Sequence, residues 1–546
     1  MKTKYSKWEI FSRYPKDPIK EILKQRQVKD IENFLNPKYE TLSPSHSIQG
    51  LKVGVERIRK ALKNKEKIAI FADYDADGIC GGAIVYRALK ILGDEPEYYV
   101  PERLEGYGLS QSAVEKLKHL GISLLITVDC GISNDTEIAH AKKLGIDTIV
   151  VDHHQCPEKL PDAVAIIHPR VGRNVCFEDF SGGGVAYLLA RSLLRERGLE
   201  KWLIDLAAIS TVADVVPLLG DNRTIVKYGL LVINKTKNLG LKYLIQVAGL
   251  AQVEIGTYEI GFMIAPRINA AGRIAKPRES FELLVTDDKV RAKDLAEKLN
   301  GLNIRRQKML DAAQEEAIKM VQSKKLDQRN LIILRGSWSE GIVGLISGKV
   351  TEYFHRPSIV LSEGKDILKG SARSIEGVNI TDLIAAAKRH IKKFGGHTMA
   401  AGLSIEKDKF KDAEEALLRQ SQKIDSKLLE RVLKIDCLLD EKLLNIDFVD
   451  KLEKLKPFGV GNPKPTFALS GAEIISKRAI GRDKNHVRFE FKKGYKFFKG
   501  IFFDFAEENY NIQVGDIVDL AFSVKLDIWQ GRKKIDLILE DVKKIK

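Results

Sequence analysis

"KIAIFADYDADG", residues 67–78, runs a short apolar segment straight into Asp73, Asp75 and Asp77 and closes on Gly78. The run 68–72 has the length and composition of a strand buried on both faces, as parallel sheets covered by helices require. The pattern recurs downstream: "LLITV" (124–128) is followed by Asp129, "TIVV" (148–151) by Asp152, His153 and His154, and "AII" (165–167) supplies a further short run. Stretches 81–92, 110–120 and 135–145 between them have helical length and apolar spacing, the last ending at Gly145. The alternation predicts an α/β domain with a doubly wound, mostly parallel sheet.

Sites in such sheets form outside the carboxyl ends of the strands. Three strand ends therefore deliver acids to one rim, and Asp214 in "STVADVVPL" (210–218) follows a predicted helix nearby. Alternate residues of an extended segment share a side, so Asp75 and Asp77 are expected to face one cavity, with Gly78 turning the chain. Crowded carboxylates repel unless they share protons or hold cations. A single aspartate at a strand end is ordinarily a cap or turn residue; four such placements with a histidine pair point to metal. Oxygen ligands with an imidazole suit Mn²⁺ or Mg²⁺, the histidine favouring Mn²⁺. Two divalent ions roughly 3.5–4 Å apart would activate water and clamp a phosphoryl group for in-line attack.

At 546 residues the chain exceeds one ordinary core, and 90 Lys plus Arg against 74 Asp plus Glu leave a net charge of +16, compatible with a polyanionic partner. Five cysteines without CxxC spacing exclude a complete disulfide framework. No apolar stretch has signal-peptide or membrane-spanning length, so a cytoplasmic protein with no membrane association is expected. Residues 289–325 read as a connecting helix about 50 Å long at 1.5 Å per residue, with Gly301 as its expected break. A second strand and helix series from "NLIILR" (330–335) predicts a smaller α/β domain. After the Pro/Gly-rich "KPFGVGNPKP" (456–465), short alternating strands predict a C-terminal β-barrel. In "FKKGYKFFKG" (491–500), Lys492, Lys493, Lys496 and Lys499 alternate with Tyr495 and Phe498, a composition suited to tracking a backbone and stacking bases. "GGGVAYLLARSL" (182–193) lacks phosphate-loop spacing and reads as a packing turn, and His168 and His355 read as ordinary turn residues.

The ordered set "DYDADG", "TVDCG", "VDHHQ", "STVADVVPL" and "PRINAAGR" resembles the DHH phosphoesterase superfamily, and within it the RecJ family of single-strand-specific exonucleases, over roughly residues 50–546. The resemblance implies that Asp75, Asp77, Asp129, His153 and Asp214 are metal ligands, with Asp129 bridging two ions. His154 would sit beside the scissile phosphate and Asp152 would orient the pair. Many superfamily members carry a histidine where Phe71 stands, which weakens one ion site unless Asp73 substitutes. "GSARS" (370–374) and "FGGHTMAAGLS" (394–404) resemble the companion DHHA1 domain. There Ser371, Arg373, Gly395, Gly396 and His397 would form an anion pocket, helped by Arg103 and Arg273, anchoring a 5′ phosphate.

The implied division is an N-terminal extension (1–49), DHH domain (50–288), connecting helix (289–326), DHHA1 domain (327–430), linker (431–465) and OB-fold barrel (466–546). The implied activity is a 5′-to-3′ exonuclease on single-stranded DNA that releases 5′-mononucleotides in recombination and repair. The enzyme would be a monomer fed by a helicase and a single-strand-binding protein. A phosphodiesterase of oligoribonucleotides or cyclic dinucleotides is the enzymatic alternative, although those proteins usually lack the barrel. A nonhydrolytic single-strand-binding scaffold is the other, and decayed acidic motifs would mark it.

Overall fold

The computed structural model describes residues 5–44, 48–106, 108–172, 177–194, 197–481, 484–505, 511–529 and 532–545. The chain divides into two compact units. One comprises Arg26–Arg305 with Lys454–Lys464; the other comprises Met1–Gln25, Arg306–Glu453 and Pro465–Lys546.

The first unit is built on a five-stranded, all-parallel sheet in the order Glu97–Tyr99, Ile68–Ala72, Leu124–Val128, Asp147–Val151, Ala165–Ile167. Ile68, Ile70 and Ala72 enter the core on one face, and Ala69 and Phe71 the core on the other. Burial on both faces is why these segments are uninterrupted apolar runs. The helix after the first central strand spans Ala76–Ile91, beginning five residues before the stretch predicted from apolar spacing. Asp75 is its N-cap and Asp77 lies in its first turn, so these two acids occupy a helix start rather than an extended segment.

The second unit holds two sheets. One has the order Lys393–His397, Ala400–Glu406, Ile367–Arg373, Ser358–Ser362, Ile332–Gly336, with only the last pair parallel. The other has seven strands, five of which close into a barrel because Phe467–Ile480 pairs with both His486–Lys493 and Ile517–Trp529. Strand Lys7–Arg13 joins the same sheet by pairing in parallel with Val432–Leu438, so the N-terminal segment is part of this unit's sheet.

Helix Lys289–Ser323 is continuous through Gly301, contrary to the expected break. A mid-helix glycine costs only about 1 kcal/mol relative to alanine, and burial of Leu295, Ala296 and Leu299 on one side and Ala313, Ala317 and Val321 on the other outweighs it. Among the described residues, no helix is long and apolar enough to cross a membrane.

Candidate metal centre and nucleic-acid interface

The acids of the first unit converge at the carboxyl ends of its strands. Three overlapping groups each bring their ligand atoms within 4.8 Å of one another: Asp73 with Asp75 and Asp129; Asp77 with His153 and Asp214; and Asp129 with His153 and His154. Asp129 and His153 each belong to two groups, and His153 Nε2 lies 3.2 Å from Asp129 Oδ1, 3.6 Å from Asp77 Oδ2 and 3.7 Å from Asp214 Oδ2. Asp129 takes a left-handed φ of +62°, a conformation uncommon outside glycine that recurs where a site over-determines the backbone. Phe71 turns away into the core, stacked on Tyr99 with centroids 5.5 Å apart, while Asp73 joins the cluster.

Two further observations test whether this donor set fits divalent cations. Among the described residues, buried Asp73 Oδ1 and His153 Nε2 have no hydrogen-bond partner. Burial and the neighbouring Asp77, Asp75 and Asp73 raise Asp129 well above the usual carboxylate range, and Asp73 is raised likewise. Burial, with Asp77 and Asp75, pushes Asp214 up to about 9. Burial lowers His153, keeping it a neutral donor. Such a cluster must take up protons or cations, and its hard oxygens with an imidazole match Mn²⁺ or Mg²⁺.

Asp152 does something different. Its Oδ1 accepts from the backbone N–H of His153 (2.7 Å) and His154 (3.1 Å) and from His154 Nδ1 (2.8 Å), while Oδ2 accepts from Ile132 N–H (2.9 Å). Burial alone would raise Asp152, but the hydrogen bond and charge of His154 with these backbone donors hold it at about 2. Burial likewise opposes charge on His154, yet Asp152 raises it to about 9. Asp152 thus orients and charges His154.

Several supporting residues escape a reading of the sequence. The glycines of 182–184 open a helix whose N–H groups bind Asp77: Gly182 donates to Oδ2 (2.8 Å) and Gly183 to Oδ1 (2.7 Å), joined by Ser210 Oγ at 2.5 Å. A Cβ on Gly182 would stand 2.8 Å from Asp129 Cβ, and one on Gly183 only 2.4 Å from Ser210 Oγ, so this is a close-approach surface for the acids rather than a simple packing turn. Asn269 Oδ1 accepts from Ala76 N–H at the helix start (2.8 Å). His168 is fully buried, not a surface turn residue. Its Nδ1 accepts from Arg170 N–H (3.0 Å), so Nε2 carries the proton donated to the His154 carbonyl (2.8 Å). Arg103 lies over the Tyr74 ring, 5.8 Å from its centroid, and both Arg103 and Arg273 act electrostatically on that phenol beside Asp73 and Asp75.

In the second unit, Arg373 Nη1 donates to Ser371 Oγ (3.0 Å), and a Cβ on Gly344, in the first turn of helix Val343–Phe354, would meet Ser371 Oγ at 3.1 Å and Arg373 Nη2 at 3.3 Å. Ser371 pairs across the sheet with Gly402, and Gly402 with Gly395; a Cβ at either glycine would find open space. A bare strip therefore leads from a helix N-terminus with a desolvated guanidinium, a surface chemically suited to an anion. Gly396, at φ +152°, lies so close to Ala400 O that a Cβ would sit 2.3 Å from it, and His397 is exposed beside it.

On the barrel, the basic–aromatic stretch splits by face. Tyr495 and Phe497 are exposed, at 103% and 67%, but Phe498, expected to stack on bases, is buried in the barrel wall. Lys492 and Lys499 are exposed, the latter paired with Glu490 at 3.2 Å. Lys493 Nζ donates to Ser470 O (2.5 Å), and Lys496 Nζ is committed to the carbonyls of Glu441, Lys442 and Leu444 (3.0–3.3 Å).

Three domain families match in the same order along the chain: the DHH family N-terminal domain over residues 67–211, the DHHA1 domain over 328–423 and the RecJ OB domain over 435–541. The single-stranded-DNA-specific exonuclease RecJ of Haemophilus influenzae is 32% identical over 543 residues, covering 94% of this chain and 93% of its own. The chain belongs to the RecJ family. The Bacillus subtilis RecJ is 36% identical over 516 residues, and this chain spans 65% of its length. Among solved structures, RecJ from Thermus thermophilus in complex with Mn²⁺ matches with a TM-score of 0.83 at 27% identity, covering 99% of this chain and 80% of that one. The Mg²⁺ complex from the same organism matches with a TM-score of 0.78 at 26% identity.

Proposed function

We propose that this RecJ-family chain is a metal-dependent exonuclease that hydrolyses single-stranded DNA from the 5′ end and releases 5′-mononucleotides. The observation that carries the reading is the convergence of five aspartates and His153 into overlapping donor groups linked through Asp129 and His153. Asp73, Asp75 and Asp129 would hold one divalent ion and Asp77, His153 and Asp214 the other, with Asp129 between them. Mn²⁺ or Mg²⁺ bound there supplies water activation and neutralises charge developing on the phosphoryl group.

The protein's own groups set the rest. Gly182, Gly183 and Ser210 fix the orientation of Asp77. Asp152 keeps His154 protonated on Nδ1, and a phosphoryl oxygen would be met by the opposite ring nitrogen. Arg103 and Arg273 would bind phosphates beside the acids. Ser371, Arg373, His397, the bare strip at Gly402 and Gly395, and the tight turn at Gly396 would take the terminal 5′ phosphate, giving the reaction its direction. Lys492, Lys499 and Tyr495 on the barrel would hold downstream strand.

The reading places the enzyme in the cytoplasm, in recombination and repair, as a monomer supplied with single strands by a helicase and a single-strand-binding protein. The test is incubation of purified protein with 5′-phosphorylated single-stranded and duplex oligonucleotides labelled at either end, with Mn²⁺, Mg²⁺ or chelator. Mononucleotides released from the 5′ end of single strands only, and only with metal, are expected. Endonucleolytic fragments or metal-independent turnover would overturn the assignment.

A further inference from the structure

The segment from Thr257 to Ile274 carries an aromatic pair that the core does not use. Tyr258 and Phe262 are 63% and 70% exposed, yet their rings stack on each other with centroids 4.8 Å apart and an interplanar angle of 29°. Tyr258 lies in the turn before, and Phe262 within, a π-helical turn, Ile260–Ile264, a form that occurs mostly as single turns inside helices and frequently at functional sites. The turn is supported from within: Arg267 Nη1 donates to Met263 O (2.6 Å) and its Nε to Asn300 Oδ1 (3.0 Å).

Its position ties it to the metal centre. A Cβ on Gly261, between the two rings in sequence, would touch Val212 Cγ1 at 3.7 Å, and Val212 is two residues before Asp214. Val215, on the other side of Asp214, is 63% exposed in a left-handed conformation, φ +61°, unusual for a β-branched residue. Thr257 Oγ1 donates to Phe458 O (2.8 Å), and Val460, 46% exposed, accepts from Leu218 N–H (2.8 Å). At the far end of the same helical segment, Asn269 accepts the Ala76 N–H at the start of the helix that Asp75 caps, and Arg273 lies about 16 Å from Phe262 at 1.5 Å per residue. One helical segment therefore runs past the cluster of acids with a cation at one end and an apolar, flat-sided rim at the other.

We propose that Tyr258 and Phe262 form a stacking platform for the bases of the bound strand on the Asp214 side of the metal centre. The inference rests on the nuclease reading above. Stacked rings present a flat face that any base can cover, and they recognise no sequence. Val215 and Val460 complete an apolar rim against which a base loses water, while the phosphates run toward Arg273.

The test is strand binding by Y258A/F262A in chelator, alongside wild type and F11A, an exposed ring in the other unit. Both substituted residues are largely exposed, so the melting temperature should hold. Affinity for an oligonucleotide should fall at least tenfold, with the salt slope unchanged because no cation is removed, and F262W should restore it. Abasic substitutions walked along the strand should weaken wild type at one or two positions and leave the double variant indifferent at those positions. Unchanged affinity, or a loss independent of where the abasic site lies, overturns the platform. Unchanged affinity with an altered molecular mass would assign the patch to contact between copies instead. If wild type itself neither binds nor cuts single strands, the nuclease reading has failed; if it does both and the variant matches it, only the platform has.

Discussion

His168 Nε2 donates a 2.8 Å hydrogen bond to the carbonyl of His154, fixing the backbone of the residue whose ring Asp152 holds protonated. His168 is wholly buried, and its other nitrogen is satisfied by Arg170 N–H, so it acts as a neutral brace between the end of strand Ala165–Ile167 and the acid–histidine loop. H168A would orphan one acceptor and one donor at about 1–3 kcal/mol each. We expect turnover to fall at least tenfold with strand affinity in chelator unchanged, and H168Q to recover part of the loss. Equal losses in turnover and strand affinity would reduce His168 to a general stabiliser.

Replacing Asp77 or His153 by alanine removes a donor from the cluster without touching the barrel or the anion-binding strip. Hydrolysis is expected to drop by three orders of magnitude or more, while gel-shift affinity for single strands in chelator stays within about twofold, because that affinity is carried mainly by phosphate and base contacts. Full turnover in either variant would remove that residue from the ligand set.

Gly182→Ala places a methyl group 2.8 Å from Asp129 Cβ. Displacement of that carboxylate should weaken Mn²⁺ binding at least tenfold by calorimetry. Gly395→Ala meets open space and should leave metal binding and melting temperature as they were.

Chelated protein should lose stability as pH rises from about 6.5 to 9. Asp214, raised to about 9, folds preferentially protonated, so its contribution is present at low pH and declines as it ionises. His154, also raised to about 9, contributes fully below its unfolded pKa and loses that contribution as it deprotonates. Both slopes therefore have the same sign. D214N should flatten the pH dependence of the melting temperature, and saturating Mn²⁺ should do the same; a curve in chelator that rises over this interval would contradict both assignments.

On the barrel, K492A should weaken strand binding and reduce the log–log salt slope by about 0.7, the value for one single-strand phosphate contact. Y495A should weaken binding with no change of slope. F498A, by contrast, empties a buried position and should cost about 3–5 kcal/mol of stability. K496A should also act mainly on stability, because its ammonium caps three backbone carbonyls.

Much of this architecture is legible in the sequence because double-sided burial writes parallel strands as unbroken apolar runs, and Asp73, Asp129 and Asp152 each directly follow such a run. What the sequence conceals is pairing at a distance. The parallel register of Lys7–Arg13 with Val432–Leu438 leaves no local signature. His168 is opaque because its partners are main-chain groups, and Gly182 and Gly183 because their role lies in the carboxylates packed against them. Phe498, expected at the surface, is buried while its neighbour Phe497 is exposed, because aromatics occupy both sides of that strand and composition cannot phase it.

Arg223, only 1% exposed, sends its guanidinium to the carbonyls of Phe34, Lys454, Leu455, Lys456 and Pro457. The segment it grips also receives the N–H of Leu218, four residues beyond Asp214, on the carbonyl of Val460. A ribosome making this protein must therefore translate residues 306–453, which belong to the other unit, before the piece that braces the Asp214 turn emerges. A nascent chain halted short of that piece would already carry the clustered aspartates yet lack the buttress behind the Asp214 turn, which only later synthesis supplies.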